Sequence, residues 1–545
     1  MVTTCHSNDD GRLGGILLFG RRIRHIQRFR QIADVLGRYG FGYLLQQLGL
    51  GRLLPFTPLR GERELVDLTR GARIRLILQD LGPTFIKLGQ LASTRSDVFP
   101  PDVLIELSRL QDDVPPVPFD LVRDVIQGEV GPVERAWREF DTTPIASASL
   151  GQVYRAQRHD GKNVVVKVRR PQVQTQLASD LELLQDVASL AEQRIPEAAA
   201  YRITDVVDEL ARGLRAELDY TREAHNADIL REFFQDWDAV QVPMVYWDQS
   251  TDKVLTLEEI DGLHLNRLLA GEVQMTEPER RQLAHLIADS MFAQIFDLGL
   301  FHADPHPGNI LILPGHGIAY LDFGSMGRLS SERREEFGNL VISLMRRDAH
   351  SIVVTILDMG IVPDDLDIER FERDVEEVRD RYYERSLAEI EIGEAVQSIL
   401  GLAYRYHISI PSDFTMLAKA MVTLEGVGRQ VDPSIQVVEI AEPYGRRLLA
   451  ERFRPGRLAQ RWSAVASSQL HELLAITPAL RRLTERAGRG KLLLQLHLVD
   501  EEKIRMTISG LTDRLLLGIL LLALAILSAG VAVAAALSGV RTTFG

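Results

Sequence analysis

Asn309 and Asp322 flank a segment whose pattern brings them to one point. The stretch His302-Ala303-Asp304-Pro305-His306-Pro307-Gly308-Asn309 leads into an apolar run, Ile310–Leu313. A turn at Pro314–Gly317, a second run at Ile318–Leu321 and then Asp322-Phe323-Gly324 follow. In an antiparallel hairpin, the residue before the first strand and the residue after the second lie at the same end. An amide oxygen and a carboxylate meeting there make a hard, oxygen-only site suited to magnesium. Asp304 reaches the same place from the preceding loop, where it could orient or deprotonate a nucleophile. Two other readings compete: a surface hairpin capped by Asp and Asn for local hydrogen bonding, and a metal site from His302, Asp304 and His306, for which no further ligand set is evident.

A second constellation lies upstream. Ala146-Ser147-Ala148-Ser149-Leu150-Gly151-Gln152-Val153-Tyr154 runs into a strand-like segment, and small residues there let backbone N–H groups approach phosphate oxygens. The next strand, Val164-Val165-Val166-Lys167, places an ammonium among valines, where it needs a carboxylate or phosphate partner. The alternatives are an ordinary turn of small residues and an edge-strand lysine reaching water.

The elements that must position these residues can be read from period and punctuation. Asp160-Gly161 between Val153–Ala156 and Val164–Val168 marks a hairpin. A helical run through Leu181, Leu184, Val187 and Leu190 follows, read as one long helix within the strand region. Val254–Leu257 is strand-like and ends at Glu258-Glu259-Ile260-Asp261-Gly262. Thr276 and Glu279 have capping-box spacing ahead of an apolar stripe, Leu283, Leu286, Ile287 and Met291, with Gly299 to close the helix. Before residue 110 the chain reads as helical, with Leu76, Leu81, Phe85, Leu88 and Leu91 near helical spacing and a break at Gly82-Pro83. Asp112–Pro118, with three prolines, reads as a linker. Beyond Leu329 helices dominate, with a clear stripe at Ile368, Phe371, Val375, Val378 and Tyr382. The order suggests a small sheet-containing lobe joined to a larger helical lobe, with added helices at both ends.

The 545 residues allow several domains, and a net charge of -13 argues against nucleic acid as a partner. Cys5 is the only cysteine, which excludes a disulfide framework within the chain. From Leu515 to Val540 no residue is charged. As a helix this stretch would span roughly 39 Å, enough for one membrane crossing; a buried core helix is the alternative. Lys503, Arg505 and Arg514 precede the span and Arg541 follows it, which predicts a cytoplasmic N-terminal part. The arginine-rich region Arg446–Lys491 is a candidate for resting on anionic headgroups, or for an ordinary solvated face.

Together these parts resemble the protein-kinase set of phosphate loop, strand lysine, catalytic-loop Asp and Asn, and Asp-Phe-Gly. The departures are informative. The loop is alanine- and serine-rich, Ala303 stands where many protein kinases have arginine, and no Ala-Pro-Glu follows Asp322-Phe323-Gly324. Lys87-Leu88-Gly89-Gln90 matches a KxGQ signature, and Glu217-Leu218-Asp219 matches ExD, followed by Tyr220 and Glu223-Ala224. With the alanine-rich loop, these resemble the UbiB/AarF/ADCK family of atypical kinases, also called the ABC-one family, in its bacterial form.

The resemblance implies an α+β, atypical protein-kinase-like two-lobe fold with an N-terminal helical extension and a C-terminal transmembrane helix. The expected divisions are 1–110 for the extension with the KxGQ helix, 111–262 for the N-lobe and 263–345 for the C-lobe core. Residues 346–510 form a helical region and 515–540 the membrane helix. ATP and Mg2+ are the implied cofactors. Lys167 is expected to contact phosphates and pair with Glu223, Asn309 and Asp322 to hold the metal, and Asp304 to be the catalytic-loop acid. Ala146, Ser147, Ala148, Ser149, Gly151, Val153 and Glu258 are the expected nucleotide contacts. Lys87 and Gln90 share a helix face; the family's arrangement turns both inward over the site, with Glu217 and Asp219 available to Lys87. Without the family they would read as solvated charged faces.

The implied function is a membrane-anchored kinase or ATPase at the bacterial cytoplasmic membrane, supporting ubiquinone or other isoprenoid-lipid metabolism. Its implied partners are ATP, an isoprenoid or quinone lipid or precursor, the membrane and lipid-biosynthesis enzymes. A small-molecule phosphotransferase of aminoglycoside-kinase type and a non-catalytic nucleotide- and lipid-binding scaffold are the alternatives. A conventional Ser/Thr protein kinase lacks room for its peptide platform here.

Overall fold

The computed structural model describes residues 28–40, 68–110, 114–194, 203–383 and 392–452, apart from a few positions within those stretches. The predicted span 515–540 and the arginine-rich region beyond 452 lie outside them. Among the described residues, no helix is long and apolar enough to cross a membrane.

The N-terminal extension forms helices α1 (Arg70–Leu81), α2 (Pro83–Ala92) and α3 (Pro101–Leu107). Thr69 caps α1 through its hydroxyl, which accepts from the Ala72 N–H at 3.2 Å. Gly82 breaks the run at φ 97°, a conformation that costs glycine little, and Pro83 opens α2 where its missing N–H is no loss. Next comes α4 (Phe119–Glu129), packed on the upper sheet. That sheet contains β1 (Glu139–Phe140), β2 (Ala146–Ser147), β3 (Gly151–Gln157), β4 (Asn163–Arg169) and β6 (Val254–Glu258). Its order is β1-β3-β4-β6, all antiparallel, with β2 added to β3. Alternate residues Val164, Val166 and Val168 face a core with Trp137, Tyr154 and Val254, as the period of two demands.

Between β4 and β6, where one long helix is predicted, the described residues form three: α5 (Val173–Arg194), α6 (Ile203–Glu217) and α7 (Tyr220–Phe233). The break that separates α6 from α7 is Asp219, which caps α7 by accepting from the Thr221 N–H at 3.0 Å. Helices α5 and α6 do not cover the upper sheet. They close a separate core with α1, α2 and the helical stretch 30–38, built on Ile74, Phe85, Leu88, Leu184 and Leu214. At about 1.5–3 kcal/mol for each buried large apolar side chain, this second core is what holds α2 in place.

The lower lobe carries the four-stranded sheet β5-β10-β9-β7, from β5 (Val240–Gln241), β7 (Leu263–His264), β9 (Ile310–Ile312) and β10 (Ile318–Tyr320). Strands β8 (Leu300–His302) and β11 (Met326–Arg328) pair beside it. Helix α8 (Leu265–Leu269) follows β7, and α9 (Glu277–Ala293) starts with the expected capping box of Thr276 and Glu279. Helix α9 then widens into a π turn, Gln294–Leu298, closed by Gly299 at φ 77°. Among the described residues, six helices complete the lobe: α10 (Ser331–Arg346), α11 (Ala349–Met359), α12 (Ile368–Tyr383), α13 (Ile392–Arg405), α14 (Ser412–Val431) and α15 (Val437–Arg452). On α12, Phe371, Val375 and Val378 are buried as expected, but Ile368 at the first turn is 51% exposed. Of the basic residues on α15, Arg447 donates to both oxygens of Asp297 at 2.8 Å and Arg446 pairs with Glu442. Those two cations are committed to intrachain partners.

Candidate active site

Lys167 sits on the central strand β4, opposite Val153 on one side and Leu255 on the other. This register fixes its Nζ, which donates to both Glu223 oxygens at 2.8 Å and reaches Asp322 Oδ1 at 3.4 Å. Glu223 is buried in the first turn of α7, and the Tyr220 ring lies 5.3 Å from the ammonium. Despite the cost of burial, Asp322 and Glu223 hold Lys167 well above its ordinary range. Burial pushes the Glu223 carboxyl up to about 7 against the pull of Lys167. Asp322 behaves oppositely. Lys167 first, then Lys87 and the Gly324 N–H, hold it well below the usual carboxylate range, and its side chain remains 51% exposed.

The hairpin of β9 and β10 delivers Asp322 to this lysine. Ile310 pairs with Tyr320, and beyond that pair the Leu321 N–H donates to the Asn309 carbonyl at 2.8 Å. Asn309 and Asp322 are therefore neighbours at one end of the hairpin. Asp322 takes φ 56°, a left-handed conformation that Asp tolerates better than most residues. The Asn309 amide donates to the Asp304 carbonyl at 3.1 Å, which closes the loop between them and leaves the amide oxygen as its remaining acceptor. His302 is fully buried: its Nε2 donates to the Leu321 carbonyl at 3.1 Å and its Nδ1 accepts from the Asp304 N–H at 3.2 Å. His306 Nδ1 accepts from the Gly308 N–H at 3.1 Å. Both imidazoles organise the loop, so the reading of His302, Asp304 and His306 as a metal site does not hold. Among the described residues no His, Cys, Asp and Glu group of three or more is placed for a metal.

Of the expected phosphate loop, Ala146 and Ser147 form strand β2, and Gly151 and Val153 belong to β3. Ala148, Ser149 and Leu150 make the tip, closed by a hydrogen bond from the Ala148 N–H to the Gly151 carbonyl at 2.8 Å. Gly151 is required by space, since a Cβ there would collide with the buried Tyr220 hydroxyl. Glu258 ends β6, and its carboxylate turns back to accept from the Met244 N–H at 3.2 Å; its side chain serves the neighbouring segment.

The KxGQ residues divide. Lys87 pairs with Glu217 at 3.3 Å across the α2–α6 contact. Gln90, expected to face inward beside Lys87, donates to the Leu110 carbonyl at 3.0 Å. Asp219, expected to be available to Lys87, caps α7 through one carboxylate oxygen, Oδ1, which accepts from the Thr221 N–H and hydroxyl.

Sequence reasoning missed three residues. Asn226 on α7 donates to the Phe323 carbonyl at 3.1 Å and accepts from Arg328 at 3.0 Å, tying the helix of Glu223 to the segment of Asp322. Its spacing of three from Glu223 on one helix was a usable signal. Gln294, in the π turn, accepts from the His302 N–H at 2.9 Å. Arg170, 9% exposed, holds the phosphate loop. No local pattern announces Gln294 or Arg170, because their main partners are backbone groups.

One ionised, half-exposed carboxylate and one amide oxygen at a hairpin end fit a hard divalent cation. A charged lysine beside them and a loop of small residues fit the phosphates such a cation accompanies.

The fold and this constellation define an atypical kinase-like protein. The model of the ABC1 atypical kinase-like domain matches residues 109–356, and that of the UbiB helical domain matches 375–436. A Xanthomonas campestris pv. campestris (strain B100) protein named "Probable protein kinase UbiB" is 35% identical over 478 residues, 85% of this chain and 84% of its own. A Xylella fastidiosa (strain 9a5c) protein of the same name is 34% identical over 464 residues, 83% of each. The chain belongs to the UbiB family of ABC1 atypical kinases. A solved Mycobacterium tuberculosis structure, Rv3197 with erythromycin, matches at TM-score 0.49 and 26% identity, over 60% of this chain and 83% of that one.

Proposed function

We propose that this chain binds Mg-ATP between its lobes and transfers or hydrolyses the terminal phosphoryl group. In this reading it works as a membrane-anchored kinase or ATPase supporting ubiquinone or other isoprenoid-lipid metabolism. The observation that carries the nucleotide reading is Lys167, held by both Glu223 oxygens and within 3.4 Å of an ionised Asp322. Asn309 and Asp322 would hold magnesium, which would supply neutralisation of the phosphate charge. Lys167 orients the phosphates, and Glu223 fixes Lys167. Asp304, positioned by Asn309 and His302, accepts a proton from the attacking hydroxyl or water. The lipid pathway is supported by the curated relatives' UbiB name and the resemblance to that family. The membrane anchor, and a catalytic domain on the cytoplasmic side of a bacterial inner membrane, are supported by the uncharged stretch 515–540 and its flanking basic residues.

The test is phosphate release from Mg-ATP by the full chain in liposomes, with and without a quinone-precursor mimic, beside Asp322→Asn. Turnover by the wild type, raised by lipid or mimic and lost in the variant, is the expected result. Nucleotide binding without turnover under every condition would overturn the ATPase reading and leave a strict phosphotransferase or a scaffold. No nucleotide binding at all would remove the basis of both.

A further inference from the structure

We infer that Arg170 is the positioning residue of the phosphate loop, acting on nucleotide affinity through the loop backbone. The inference rests on the nucleotide reading above and deepens it. Arg170 follows β4 directly, three residues after Lys167, and is almost fully buried. Its Nε donates to the Ala148 carbonyl at 2.7 Å. Its Nη2 donates to the Ser147 hydroxyl at 2.6 Å and to the Pro115 and Val114 carbonyls at 2.8 and 3.1 Å. Its own N–H donates to the Leu150 carbonyl at 2.9 Å. Both flanking carbonyls of the loop tip are thus pinned to one residue.

The direction of these bonds matters more than their number. In a trans peptide the C=O and the following N–H point to opposite sides. Holding the Ala148 carbonyl on Arg170 therefore aims the Ser149 N–H away from the guanidinium. A loop that binds phosphate through its N–H groups needs that orientation set before the ligand arrives, since ordering it on binding would cost affinity. Arg170 also fastens the loop to the segment before α4. There the Val114 N–H donates to the Ser147 carbonyl at 3.3 Å, and the Gln152 side chain accepts from the Val117 N–H at 2.9 Å. A lysine at position 170 would keep the charge but could not present donors in the planar fork that spans Ala148, Ser147 and Pro115.

The experiment measures binding of a fluorescent ADP analogue with Mg2+ to the full-length wild type, Arg170→Lys and Asp322→Asn. Hydrogen–deuterium exchange of segments 145–152 and 300–325 is followed in parallel. Arg170→Lys is expected to weaken nucleotide binding about tenfold or more and to speed exchange in 145–152 only. The KM for nucleotide should rise by a larger factor than kcat falls, since Lys167, Glu223 and Asp322 keep their own contacts. Wild-type binding with Arg170→Lys within twofold of it would overturn the inference and leave the nucleotide reading intact. Faster exchange in both segments would also overturn it, by showing that Arg170 serves only general stability. Absence of nucleotide binding by the wild type would overturn the nucleotide reading and this inference with it.

Discussion

The hairpin that carries Asn309 and Asp322 and the helix whose Lys87 acts on Asp322 come to the site by different physical routes. The hairpin is local. Its strands, turn and terminal residues lie within one short stretch, and strand register sets Asn309 opposite Leu321, the residue next to Asp322. The α2 helix is remote. It reaches the site only because α5 and α6, inserted between β4 and β6, build a second core beneath it. A site assembled by register has its side chains aimed by the backbone; a site assembled by docking has them aimed by whichever partner is nearest. That difference explains why Asp322 lies beside Lys167 while Gln90 is drawn to a carbonyl at Leu110.

The comparison can be broken most forcefully at the lysine. Lys167→Met removes one partner of a buried pair and leaves Glu223 without a counter-charge. The expected loss is about 3 kcal/mol of stability and of order a hundredfold or more in Mg-ATP turnover, read by denaturant unfolding and by phosphate release. Retained turnover would place the chemistry elsewhere. Gly151→Ala comes next, costing about 1–3 kcal/mol through collision with the Tyr220 hydroxyl. Adding Tyr220→Phe should recover part of that loss, and a double-mutant cycle with no coupling would sink the steric account.

On the docked side, Asp219→Ala should cost about 1 kcal/mol as a lost helix cap with nucleotide affinity little changed. Glu217→Gln should alter turnover with a smaller effect on stability. If the two variants behave alike, ExD is one unit, and the separation of cap from ion pair is wrong. The smallest effect is in pH. The folded-state value of Glu223 is raised from an ordinary 4.5 to about 7, so its carboxyl contributes stability below 4.5 that is lost as pH rises through 7. The melting temperature of the wild type should therefore fall relative to Glu223→Gln between pH 5 and 8. Asp322 is lowered from an ordinary 3.8, so its contribution is present above that value and lost only in acid. Because Asp322 also helps to raise Glu223, the wild type should show the same kind of fall against Asp322→Asn between pH 5 and 8.

What the sequence made legible follows the same division. The Asp160-Gly161 hairpin, the capping box of Thr276 and Glu279, and the hairpin between Asn309 and Asp322 rest on local chemistry, and the structure has each of them. The α6–α7 break was hidden because Asp219 was read as a charge rather than a cap. Arg170 and Gln294 were hidden because their main partners are main-chain groups, which carry no residue-type signal. Lys87 could be placed over the site only by family resemblance, since nothing within α2 says that Glu217 is across from it.

The π turn at Gln294–Leu298 has a consequence for how this chain can vary. Each residue of an α-helix advances about 100° around its axis, so the wide turn sets the angular phase of everything after it. Gln294 meets the His302 N–H, and Gly299 meets the end of the turn, only in that phase. Side chains can be exchanged along this stretch at ordinary cost, but losing or gaining one residue would rotate the following strand away from Asp304. Length, more than composition, is what this part of the fold demands.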